Sequence, residues 1–252
     1  MIDMHSHIIY GIDDGARDEE STLQMLKLAE ISGTTTIVAT PHYMKGRFIT
    51  PYEEVVERVY EIRKLARDNN IDVEIMAGQE IYYHKDLIYY YNDKLIGTIN
   101  NSRYMLIEFP MMEFNIDDII DGLYELTIRG IVPIIAHPER YKPFIKKPHL
   151  INKFIEEGYL FQMNSGSLLG KFGRDVQRLA ETYYNNGIYS VIGSDAHSSN
   201  SRNTNLEPLQ ELIKDGISVF DKNAEKILQD EEVLFTGKMI KEKRGFLSLF
   251  SR

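Results

Sequence analysis

The chain has 252 residues, of which 43% are hydrophobic and 27% charged, with a formal net charge of −9 and no cysteine. That length and mix suit one large globular domain, and no apolar run approaches the ~20 residues a membrane helix needs. Without cysteine there are no disulfides, thiolate ligands or cysteine nucleophile, and an acidic surface excludes general nucleic-acid binding while leaving room for a small basic or metallic pocket for one phosphate.

The first strand begins at Ile2, so no signal peptide is expected and the expected location is the cytoplasm. Runs rich in β-branched residues alternate with helix-period segments along nearly the whole length. Strands are expected at Ile2–His7, Thr35–Thr40, Val73–Ala77, Tyr104–Phe109, Ile131–Ala136, Tyr159–Met163 and Ser190–Gly193. Amphipathic helices are expected near Glu19–Ile31, Tyr52–Asn69, Asp117–Ile128, His149–Glu156, Arg174–Tyr184 and Leu206–Lys214. Gly33, Gly130, Gly158 and Gly187 sit just beyond four of these helices, where a left-handed residue ends the helix. Such alternation means parallel strands joined by right-handed crossovers. About seven units point to an α/β barrel, closed or nearly so, with an open doubly wound sheet as the alternative. No Gly-x-Gly-x-x-Gly follows the first strand, which weakens the dinucleotide-binding version of that sheet.

The strand ends carry the chemistry. The first ends in His5-Ser6-His7 and is followed by Asp13-Asp14-Gly15, a turn signature in itself. The others end in Thr40-Pro41-His42, Gly78-Gln79-Glu80, Glu108-Phe109-Pro110, His137-Pro138-Glu139-Arg140, Asn164-Ser165-Gly166 and Gly193-Ser194-Asp195-Ala196-His197. In a parallel barrel these ends share one rim, where active sites are built. Five of the seven histidines fall there (His5, His7, His42, His137, His197), which points to a polynuclear metal site. Histidine and carboxylate without sulfur suit Mn²⁺, Fe or Zn²⁺, and the number of carboxylates favours Mn²⁺. Glu80, after a flexible glycine at a central strand end, is the candidate bridge between ions. Arg140 and Arg202 lie on loops that also carry ligands and offer planar donor forks matched to phosphate.

Together these motifs resemble the polymerase-and-histidinol-phosphatase (PHP) superfamily from Met1 to roughly Asn223. More narrowly they resemble its bacterial manganese-dependent protein-tyrosine phosphatases of the capsule and exopolysaccharide type. The resemblance implies a distorted (β/α)7 TIM-like barrel over residues 1–237 and a three-metal centre. It implies one ion on His5, His7, Glu80 and Asp195, a second on Glu80, Glu108 and His137, and a third on Asp14, His42 and His197. Arg140 and Arg202 match the family's phosphate-gripping arginines, and the implied substrate is an autophosphorylated bacterial tyrosine kinase. Without cysteine, the expected attack on phosphorus is by a hydroxide that the metals generate. Tyr10, where relatives often carry proline, departs from the pattern without removing a ligand. A small-molecule phosphoesterase such as a histidinol phosphatase shares every ligand and is the alternative; a non-enzymatic metal-binding scaffold is a third reading.

Other residues are assigned no chemistry. Tyr82, Tyr83, Tyr89, Tyr90 and Tyr91 are read as loop packing, His84 and His149 fall off the strand-end pattern, and Asn164 and Ser165 are expected to bond loop backbone. The tail from 238 to 252 pairs Lys241, Lys243 and Arg244 with an apolar Gly245–Phe250 run. It is expected either to pack on the barrel or to dock at the inner face of the membrane or on the membrane-bound kinase.

Overall fold

The structure, a computed structural model, describes residues 1–242. In chain order the elements are β1 (Ile2–Ser6), α1 (Glu19–Ile31), β2 (Thr36–Ala39), β3 (His42–Tyr43), α2 (Tyr52–Asp68), β4 (Glu74–Ala77), β5 (Glu80–Tyr82) and α3 (Leu87–Asn92). There follow β6 (Tyr104–Glu108), α4 (Ile116–Thr127), β7 (Val132–Ala136), α5 (Lys142–Lys146), α6 (Asn152–Glu156), β8 (Leu160–Asn164) and α7 (Ser165–Leu168). The last elements are α8 (Arg174–Asn185), β9 (Val191–Gly193), α9 (Glu207–Ile213) and α10 (Ile217–Leu228). Every strand pairing is parallel, in the orders β1-β2-β4 and β3-β5-β6-β7-β8-β9. This is an α/β fold built on a curled parallel sheet.

The two sheets meet where the chain cannot keep regular pairing. Pro41 has no N–H to donate, and Gly78 on the neighbouring segment lies against Val38 and Thr40. Gly78 N donates to Ala39 O (2.8 Å) and Glu80 N to Pro41 O (3.1 Å), carrying the alignment from β2 and β4 into β3 and β5. At the other margin His7 N donates to Ala196 O (2.9 Å) and Asp195 N to His5 O (2.8 Å), tying the end of β1 to the segment after β9.

Parallel strands are covered on both faces and therefore read as continuous apolar runs. Ile2, Met4, Val38, Leu106, Ile134, Leu160 and Val191 form one interior cluster, to which α10 adds Ala224 and Ile227. Residues of the opposite parity, such as Ile107, Ile135, Phe161 and Ile192, pack outward under the helices. Helix starts follow local chemistry: Asp18 Oδ1 accepts from Ser21 N (2.8 Å) at α1, and Asn115 Oδ1 accepts from Asp117 N (3.0 Å) at α4. Gly33, Gly130, Gly158 and Gly187 all have positive φ, as expected of residues just past helix ends.

The expected strands are all present, with β3 and β5 as additions just past the second and third of them. The helices α3, α5, α7 and α10 were not expected, and His149–Glu156 is a 3-10 turn at Pro148–Ile151 followed by α6. Of the expected tail, Lys238 N donates to Asn186 O (2.8 Å) and Ile240 is buried with its backbone bonded to the Asn152 side chain. The segment from Lys243 to Arg252 lies outside the described residues. Among the described residues no helix is long and apolar enough to cross a membrane.

A Cβ at Gly193 would lie 2.4 Å from His5 Cβ and 2.8 Å from Gln162 Nε2. Gly193→Ala is therefore expected to lose about 1–3 kcal/mol of stability through overpacking, read as a lower urea midpoint at unchanged slope.

Candidate metal centre

The first strand reaches the site by breaking its own alternation. Its pairing with β2 slips between Asp3 and Ser6. Ile2 and Met4 face the interior cluster, yet His5 and His7 also turn inward, towards Glu80. A bulge of this kind re-aims side chains at the end of a strand. Asp3 braces it: its Oδ1 accepts from His5 N (3.2 Å) and from Ser194 N (2.8 Å). Burial raises the Asp3 carboxyl to about 6. Two other strand ends finish on left-handed residues, His137 (φ 31°) and Asp195 (φ 51°), a conformation that non-glycine residues adopt chiefly where surroundings enforce it.

Glu80 lies at the centre. Its Oε2 is 3.1 Å from His5 Nε2, 3.2 Å from His7 Nε2 and 3.2 Å from His42 Nδ1, while Oε1 is 2.9 Å from His137 Nε2. Asp195 Oδ1 stands 3.7 Å from His5 Nε2 and 3.6 Å from His7 Nε2, and Glu108 Oε1 is 3.7 Å from His137 Nε2. At the mouth, Asp14 Oδ1 is 3.7 Å from His42 Nε2 and 3.5 Å from His197 Nε2. All nine residues expected as ligands thus share one cluster. Three donor sets are compact enough to hold an ion: His5, His7, Glu80 and Asp195; His7, Asp14, His42 and His197; and His42, Glu80 and Glu108. The first set is fully buried, whereas the Asp14 side chain of the second is 39% exposed.

The spacing fits divalent cations. Ligand bonds of ~2.1 Å place neighbouring donors ~3 Å apart around an ion, and His5 Nε2 and His7 Nε2 are 3.2 Å apart beside the same Glu80 oxygen. The ring orientations fit too, because three imidazoles spend Nδ1 on an oxygen and aim Nε2 at the cluster. His5 Nδ1 bonds Gln162 Oε1 (3.0 Å), His7 Nδ1 bonds Asp13 Oδ2 (2.7 Å) and His197 Nδ1 bonds the Asp195 carbonyl (3.0 Å). Outer partners of this type fix the tautomer and raise ligand basicity.

Charge tells the same story. Burial pushes Glu80 up, but His5, His42 and a hydrogen bond from His137 outweigh it and hold the carboxyl well below its ordinary range. Glu108 goes the other way: burial, then the neighbouring Glu80 and Asp195 charges, push it well above. Burial, helped by Arg140, lowers His137 to about 4. Glu108 is raised first by burial and then by its anionic neighbours, so positive charge added at this cluster would favour its ionised form.

Asp14, His42, Glu80, Glu108, His137, Asp195 and His197 line a cavity of about 600 Å³ that also receives Arg140 and Arg202. Arg140 Nη1 donates to Asp195 Oδ2 (2.7 Å) and Arg202 Nη2 to Asp195 Oδ1 (2.5 Å). The Arg140 guanidinium lies 4.6 Å over the Phe172 ring. The tyrosine cluster divides: Tyr90 is buried against Tyr43, whereas Tyr82 and Tyr83 border the cavity, as does His84, which falls off the strand-end pattern. Asn164 does bond loop backbone, accepting from Gly166 N (2.9 Å), but it also donates to Asp195 Oδ2 (2.7 Å). Asp3, Asp13 and Gln162, which bond the histidines of the cluster, were given no part by sequence reasoning, and for Asn164 only its backbone bond was expected. Asp13, beside Asp14, and Asn164, at a strand end, carried a local signal; Gln162 carried none.

Among proteins of known sequence, the tyrosine-protein phosphatase CpsB of Streptococcus pneumoniae is 33% identical over 242 residues, 92% of this chain and 99% of its own. The tyrosine-protein phosphatase YwqE of Bacillus subtilis is 31% identical over 239 residues, covering 92% of this chain and 93% of its own. A crystal structure from work on YwqE and CpsB, described there as unique metal-dependent tyrosine phosphatases, matches with a TM-score of 0.88 at 30% identity, over 96% of this chain and 100% of that one. The sequence profile for capsular polysaccharide synthesis, CpsB/CapC, matches residues 1–231, and the chain belongs to that family.

Proposed function

We propose that this chain is a metal-dependent protein-tyrosine phosphatase acting on an autophosphorylated bacterial tyrosine kinase, and so regulating capsule and exopolysaccharide synthesis. The observation that carries the reading is the convergence of histidine and carboxylate donors with two arginines on one cavity. Relatives named tyrosine-protein phosphatases support the substrate class. The catalytic body is residues 1–237, and the proposed location is the cytoplasm, at the inner face of the membrane where the tail would dock.

In this reading His5, His7, Glu80 and Asp195 hold one cation, Glu80, Glu108 and His137 a second, and Asp14, His42 and His197 a third. The proposed ion is Mn²⁺, with Fe and Zn²⁺ suited to the same donors. Bound cations supply an acidified water and neutralise phosphoryl charge. Asp13 and Gln162 hold the imidazoles of His7 and His5 in the tautomer that presents Nε2. Arg140 and Arg202 orient the phosphoryl oxygens and stabilise the charge that builds on them. A tyrosine leaving group has a pKa of about 10, so no side chain need serve as its acid.

We read the architecture behind this site as a distorted seven-stranded (β/α) barrel. In that count β2 with β3 and β4 with β5 are each one strand, interrupted at Pro41 and at Gly78–Gln79. The hydrogen bonds from Gly78 N and Glu80 N support the count, and those between the end of β1 and residues 195–196 support closure.

Chelation is expected to abolish turnover of a phosphotyrosyl peptide and added Mn²⁺ to restore it better than Fe²⁺ or Zn²⁺; activity surviving full metal removal would sink the reading. Arg140→Ala and Arg202→Ala are each expected to lower kcat/KM by about 10²–10³-fold, which steady-state kinetics at saturating Mn²⁺ would show. Asp13→Asn is expected to weaken Mn²⁺ binding by about 10–100-fold, measured by calorimetric titration of the metal-free protein.

A further inference from the structure

The carboxylates bordering the cavity are Asp14, Glu80, Glu108 and Asp195, all of them members of the donor sets. The remaining charged side chains at its border are Lys45, Arg47, Arg140 and Arg202. The mouth of an acidic protein is thus cationic once its donor carboxylates are committed. Arg140 and Arg202 both converge on Asp195, which leaves Lys45 and Arg47 without a task in the reaction.

Those two flank a tight turn. Met44 N donates to Phe48 O (2.7 Å), Phe48 N and Arg47 N donate to Met44 O (2.9 Å each), and Gly46 takes φ +82° to close it. Lys45 Nζ is engaged by Asp86 (3.5 Å) and lies 5.6 Å over the Tyr90 ring. Arg47 is differently set. Its guanidinium lies 4.7 Å over the Phe48 ring, and that ring stacks at 6° and 5.8 Å on the imidazole of His42. The fork is therefore pre-positioned by a three-layer stack rooted in the site. Its charged partner among the described residues is Asp14 Oδ2 at 3.8 Å, and the Arg47 side chain is 60% exposed. So long and exposed a pair is weak, and Asp14 faces His42 and His197 as well.

We propose that Arg47 is a specificity-determining residue that docks an acidic side chain next to the phosphotyrosine of a polypeptide substrate. The inference rests on the phosphatase reading above and adds the sequence preference of the same site. A carboxylate beside the phosphotyrosine meets a planar, backed guanidinium at the mouth, while a basic neighbour meets repulsion from Lys45 and Arg47 together.

The test uses the Mn²⁺-loaded full chain and three phosphotyrosyl peptides that differ only in having Glu, Gln or Lys on both sides of the phosphotyrosine. The readout is the ratio of kcat/KM between peptides within one protein preparation, which cancels any change in folded or metal-loaded fraction. The unaltered chain is expected to favour Glu over Gln by about fivefold, the size of an exposed ion pair of ~1 kcal/mol. Arg47→Ala is expected to bring that ratio to about one, and Arg47→Glu to favour the Lys peptide. Equal turnover of the three peptides by the unaltered chain, or a ratio that survives Arg47→Ala, overturns the inference alone. No turnover of any peptide overturns the phosphatase reading and this inference with it.

Discussion

Four imidazoles, those of His5, His7, His42 and His137, face the buried carboxylate of Glu80 at 2.9–3.2 Å. They come from β1, β3 and the end of β7, and Glu80 itself opens β5. A carboxylate removed from water keeps its charge only when opposite charge or donors surround it. The position of Glu80 therefore depends on the ends of β1 and β7 and the starts of β3 and β5 meeting at one level, which parallel pairing across a curled sheet provides. The same dependence runs outward. His197 lies between Asp195 and Asp14, and Asp13 ties the backbone of His42 to the ring of His7.

Strand ends were legible because parallel α/β architecture assigns them a common rim before any contact is known. His42, Glu80, Glu108, His137, Asp195 and His197 declared themselves by following apolar runs. The bulge in β1 was not legible, since Ile2-Asp3-Met4-His5 reads as plain alternation and only the slip against β2 shows otherwise. Nor was the identity of outer partners. Gln162 sits within a strand like any polar residue of β8, and its pairing with His5 spans 157 positions. Long-range pairing of this sort leaves no periodic trace.

The missed helices have physical reasons as well. α3 is half tyrosine, a middling helix former, and α10 lacks a side-chain cap. Both are held by tertiary contacts: Leu87 and Tyr90 in one core cluster, Ala224 and Ile227 in the interior cluster. The short β3 and β5 arise from the interruption at Pro41 and Gly78, which lets the chain change direction just before His42 and Glu80. Left-handed backbone at His137 and Asp195 does the same work at the ends of β7 and β9.

The bond from Ser194 N to Asp3 Oδ1 joins residues 191 positions apart, at the seam where the first strand meets the last. On a ribosome the amino-terminal histidines emerge long before their companions from the far end of the chain. During that interval the nascent polypeptide carries a His-x-His fragment without its carboxylate companions. A cluster built from all of these donors therefore requires both margins of the sheet to be in place together, residues 5–7 beside residues 195–197.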